Sequence, residues 1–143
     1  MSRTRDLTVG LAELLDAEGV GTWNEAGMFG PSDTAITVMA TPPSPDRLVT
    51  LTPYTVASEV RGHRVQGMQV RFRGAPGEPL AAEDLADAVY QVLNGRERLD
   101  LGGVQVHLVY QQSHSPNGID GDHRAESLSN YYLLIDAPTP YTR

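Results

Sequence analysis

The sequence contains neither lysine nor cysteine: all eleven of its basic positions are arginine. Without cysteine there are no disulfides, thiol nucleophiles, or cysteine-ligated zinc or iron–sulfur sites. Without lysine there is no Walker-type phosphate loop, and every basic position holds the planar, bidentate cation instead. No apolar run reaches the roughly 20 residues that a spanning helix needs, and Met1-Ser-Arg-Thr-Arg5 leads into no hydrophobic signal segment. This reads as a soluble protein, intracellular when made, with no membrane partner. Positive charge is also short. A formal charge of −7 and a pI near 4.9 exclude nucleic acid and anionic lipid as principal partners, because both require a dense basic field.

A chain of 143 residues with 40% hydrophobic content is long enough for one buried core. The expectation is a single domain over 1–143, with an extended tail at 137–143. The organising stretch is Val65 to Arg73, where Met68, Val70 and Phe72 alternate with Gln69, Arg71 and Arg73. That period of two marks a strand buried on one side. After a Gly/Pro break, Leu85, Ala88, Val89, Val92 and Leu93 fall on one stripe of a helix over 80–93. Upstream, Leu7, Leu11, Leu14 and Leu15 predict an amphipathic helix near 4–18, capped by Ser2 or Thr4 and stopped by Gly19.

Thr34–Met39 and Leu48–Thr52 are β-branched runs separated by Thr41-Pro-Pro-Ser-Pro45, so they read as neighbouring strands with a stiff connection. Leu99 to Leu108 reads as a hairpin about Gly102-Gly103, and Ser127 to Ile135 as a last strand. Residues 54–63 and 111–124 read as loops. The fold class is therefore α+β: a mixed or antiparallel sheet with two helices on one face.

Candidate chemistry concentrates in Ser113 to Arg124, which gathers His114, Asp120, Asp122 and His123. It fails as a calcium loop, because its glycine falls between the aspartates and Glu126 comes too early. It lacks a helical His-x-x-x-His, and Ser113 and Ser115 sit on no strand–Ser–helix elbow. His63 and His107 read as isolated surface histidines. Arg71 and Arg73 fit the outer face of the central strand. No catalytic, cofactor-binding or metal-ligating residue is nominated.

The segments Ala17–Trp23, Asp33–Met39, Pro45–Tyr54, Val65–Gly74, Leu85–Arg96, Leu101–Val106, Ser113–Gly121 and the Asn130-Tyr-Tyr-Leu strand together carry a resemblance. The chain resembles the minor capsid or tail terminator family of long-tailed bacteriophages and prophages, of the kind common in phages of actinobacteria. That resemblance implies a non-enzymatic structural subunit of a virion, without cofactor and assembled in the host cytoplasm. It implies a homo-oligomeric ring, a hexamer, on the head-proximal end of the tail tube, touching tail tube protein and the neck connector while DNA passes through the lumen without specific binding.

Under it, Arg47, Arg61, Arg64, Arg71, Arg73, His114, Asp120, Asp122 and Arg124 are the expected interface residues, on segments 41–47, 55–64 and 111–124. Another neck or head-completion role is the near alternative. A small ligand- or metal-binding domain using 111–124 is the alternative from a different class.

Overall fold

The computed structural model describes residues 2–142, so Met1 and the Arg143 end of the expected tail lie outside the described residues. Helix α1 (Arg3–Ala17) begins where the Ser2 hydroxyl accepts the Arg5 amide at 3.0 Å and ends before Gly19, whose φ of 81° suits a residue without Cβ. It buries Leu7, Leu11 and Leu15 as the leucine spacing predicts. Helix α2 (Ala81–Leu93) follows just after Pro79. Its buried stripe is Ala82, Ala86, Val89 and Leu93, flanked by Leu85 and Val92; Ala88 faces out, one position off the expected stripe.

Seven strands form one mixed sheet: β1 (Thr22–Trp23), β2 (Ala35–Val38), β3 (Leu48–Ser58), β4 (His63–Arg73), β5 (Glu97–Leu101), β6 (Val104–Ile119) and β7 (Ala125–Asp136). Their spatial order is β1-β2-β3-β4-β7-β6-β5; β1, β2 and β3 run parallel and every other pair is antiparallel. The central strand is β4, as its alternation predicts. Val49, Phe72 and Ser127 stand side by side across β3, β4 and β7, as do Leu51, Val70 and Ser129. These positions are fully buried or nearly so, and the apolar ones join one cluster with residues from both helices.

Two expected loops are strands. Residues 54–58 continue β3 and residue 63 opens β4, leaving only 59–62 as a turn; residues 111–119 continue β6, leaving 120–124 as its turn into β7. The reason is pairing. Polar or exposed residues there gain ladder partners from a neighbouring strand whose own pattern is strong, and composition alone does not register that. The Gly102-Gly103 turn is as expected, with φ of 60° and 86°. A Cβ on Gly102 would overlap the Asp6 backbone and one on Gly10 the Gly102 amide, so this glycine pair lets α1 lie directly on the β5–β6 turn.

Candidate assembly surfaces

Proline-rich segments create a local problem: they carry carbonyls but few amides, so their acceptors must find donors elsewhere. In 40–47 the donors come from side chains. Arg73 donates from Nε to the Asp46 carbonyl at 2.9 Å and from Nη2 to those of Pro42 and Pro45 at 2.7 and 2.8 Å. Arg124 donates from Nη1 to the Pro43 carbonyl at 2.8 Å, and the hydroxyls of Thr37 and Thr50 both reach the Ala40 carbonyl. Both arginines are 5% exposed. The outer-face reading of Arg73 is therefore corrected: its guanidinium is spent inside the subunit, and so is that of Arg124. The sequence signal available was the proline run itself, whose carbonyls require buried donors.

Asp120 completes this cluster. It accepts the amides of Arg124 and Asp122, both at 2.9 Å, and the Arg124 Nε at 2.8 Å. The Arg124 amide chiefly, with its guanidinium and the Asp122 amide, holds Asp120 below the usual carboxylate range against an opposing desolvation. Burial works to lower the Arg124 pKa, but Asp120, Asp122 and Asp46 outweigh it and raise it. Arg73, by contrast, is lowered by burial and then by the neighbouring Arg124.

Register divides the expected interface residues between the two ends of the sheet. Leu48 pairs with Arg73 and Arg73 with Glu126, so 41–47 and the 120–124 turn share one end, with Arg47 and Asp122 exposed there. Arg71, 3.9 Å from Glu126, stands nearby. At the opposite end, about 33 Å away at the rise of an eleven-residue strand, lies the β3–β4 turn with Arg61 exposed and Arg64 half-buried. Among the described residues no acceptor meets the buried Arg64 Nε, and Val56 and Val60 on the same turn region are 40% and 72% exposed.

Between the two ends, nearer the Arg73 end, His114 bridges Ser129 Oγ and Glu83 Oε2, both at 2.7 Å. This Ser–His–Glu chain copies the connectivity of a hydrolase triad, but Ser129 is fully buried within β7 and offers no approach to a substrate. What it does is tie α2 to β6 and β7. The outer face of the sheet carries a row in which Tyr54, Gly67, Tyr132 and Tyr110 are successive cross-strand partners. The Tyr54 ring covers Gly67, leaving no room for a side chain there, and Tyr110 meets Tyr132 edge-on at 5.7 Å.

One cluster escaped sequence reasoning altogether. His63 and His107, read as isolated, converge on Asp136: His107 Nε2 is 2.7 Å and His63 Nδ1 3.4 Å from the same Oδ1. Hydrogen bonding from His107 holds Asp136 below its ordinary range, with burial opposing and the charge of both imidazoles adding to it.

A model of the bacteriophage tail terminator protein family matches residues 14–136. The chain belongs to that family. Comparison with curated proteins gives no match. Among solved structures, a chain from the virion of a native gene transfer agent particle superposes with a TM-score of 0.69 over 96% of this chain and 100% of that one, at 13% identity. Identity that low speaks for a shared fold. Membership of the terminator family makes the chain a structural, tail-related phage protein. Among the described residues no helix is long and apolar enough to cross a membrane.

Proposed function

We propose that the protein is a tail terminator that closes with copies of itself into a ring, six-membered, on the head-proximal end of the tail tube, where it stops tube growth and joins the tube to the neck. The family match over 14–136 carries this reading. In it the chain acts as a single domain, with both helices over one face of the sheet. The shared cluster of Leu7, Leu11 and Val89 with Val49, Val70 and Phe72 supports that placement. The helix-free face and the two ends are then available for contacts.

A ring needs one surface of each subunit to mate with a different surface of the next. The sheet edges are unequal in a way that suits this. β1 is two residues long and its Trp23 amide is already taken by Asp16, whereas β5 covers β6 only as far as Leu108. Beyond it, residues 112–119 present a free strand edge, interrupted by Pro116. Arg61 and Arg64 serve contacts at one end and Arg47, Arg71 and Asp122 at the other, while Arg73, Asp120 and Arg124 shape the 41–47 loop and His114 fixes α2 behind the β6 edge. The negative net charge keeps the lumen from gripping passing DNA.

The test is to purify the chain and measure its mass alone and with tail-tube subunits. The expected outcome is discrete rings that bind tube ends and limit tube length. A chain that binds only the neck connector, or stays monomeric and leaves tube length unchanged, overturns the reading.

A further inference from the structure

We propose that His63, His107 and Asp136 bind one divalent transition-metal ion of the zinc class. Three neighbouring strands deliver the donors to one point. His63 opens β4 and pairs directly with Asp136, the last residue of β7. His107 reaches the same carboxylate because β6 bulges there: Val106 pairs with Ile135 and Leu108 with Leu134, so His107 is the extra residue between them. A bulge of this kind re-aims a side chain. Without it, the period of two along β6 would shift every later residue to the other face.

Two imidazoles meeting at one carboxylate oxygen form a compact donor set that a single cation can share. Both imidazoles approach Oδ1, with ring centroids 6.2 Å apart and edge-on, and the three donor atoms all lie within 4.8 Å of one another. Tetrahedral zinc with bonds of about 2.0–2.1 Å places its ligand atoms about 3.4 Å apart. The His63–Asp136 separation already has that value. The His107 contact must open by about 0.7 Å as the ion takes the place of the proton, which an imidazole more than half exposed can do.

Two imidazoles and one carboxylate select zinc, cobalt or nickel over calcium or magnesium, which require more oxygen ligands. The site opens onto a cleft of about 520 Å³ lined by Ala57, Glu59, Val65 and Leu134 as well as the histidines, leaving space for water as the remaining ligand. A bound ion would tie together the ends of β4, β6 and β7, beside the β3–β4 turn.

The experiment titrates the untagged full chain with Zn2+ by calorimetry and with Co2+ by visible absorption. One equivalent is expected, with a dissociation constant of about 10 μM or tighter. H63Q, H107Q and D136N should each weaken binding at least about tenfold, because losing a direct ligand costs no less than losing an outer-shell partner. H114Q and H123Q should leave it unchanged. His63 is well exposed, so H63Q tests the site even if D136N fails to fold. No saturable binding up to about 1 mM, unchanged binding in H63Q, or loss in H114Q overturns the proposal.

Discussion

Replacing Arg73 with methionine keeps an unbranched apolar stem but removes every donor to the proline loop. Three carbonyls lose their partner, those of Pro42, Pro45 and Asp46. Pro45 is a buried residue, so its acceptor forfeits close to the full about 1–3 kcal/mol of an unsatisfied group. Pro42 is half-buried and Asp46 exposed, so water repairs part of the other two losses. Relief of the repulsion between Arg73 and Arg124 offsets some of the rest. The sum is about 2–4 kcal/mol, which at this chain length lowers the melting temperature by about 8–15 °C. R73K should fall between wild type and R73M, since an ammonium cannot serve acceptors on both sides of a guanidinium fork. R71M is the control. Its side chain is about one-third exposed and 3.9 Å from Glu126, so it should shift melting by no more than about 3 °C. Circular dichroism at one fixed protomer concentration reads all four proteins, because assembly would otherwise move the transition. R73M melting within about 2 °C of wild type, or R71M falling as far as R73M, would refute the claim that the buried guanidinium organises this loop.

Val89 is fully buried where α2 meets the sheet, so V89D should abolish the cooperative near-ultraviolet transition, whereas R71E should melt like wild type yet lose ring assembly in sedimentation. Equal stability loss in both would contradict that division. Asp120 is held below its ordinary pKa, so its contribution is complete above the unfolded value near about 3.9 and disappears as pH falls through the folded one. Urea midpoints should therefore hold between pH 7 and 5 and drop below about pH 4, and D120N should flatten that acid limb while lowering the pH 7 midpoint. Among the described residues the buried Tyr131 hydroxyl has no partner, and burial, chiefly, raises its pKa. Y131F should consequently match or exceed wild-type stability by up to about 1–2 kcal/mol, and a clear loss in chemical denaturation would reveal a hydrogen bond to that hydroxyl.

The parts of this fold legible in the sequence are those whose signal is local. The leucines of α1, the alternation of β4 and the Gly102-Gly103 turn each follow from a period or a φ requirement within one element, and each stands where expected. The β3 and β6 extensions were not legible, because their exposed residues carry no alternation and owe their strand state to β4 and β7. Ala88 misled for a related reason: small and apolar, it fits a stripe by spacing while the helix turns it outward.

The polar sites depend on register even more strongly. Arg71 and Arg73 look alike in a strand read alone, both on the side opposite Phe72, but only Arg73 reaches the strand end where 40–47 folds over. A run of prolines announces that some donor must be buried nearby; which arginine supplies it depends on how far β3 slides along β4. His63, His107 and Asp136 are still less visible, since they lie 29 to 73 residues apart and meet only because β7 separates β4 from β6 and β6 carries one residue too many at His107. Remove the bulge and every residue of β6 after His107 turns to the other face and His107 pairs out of step with β7, so no spacing rule applied to the linear sequence could have joined these three donors.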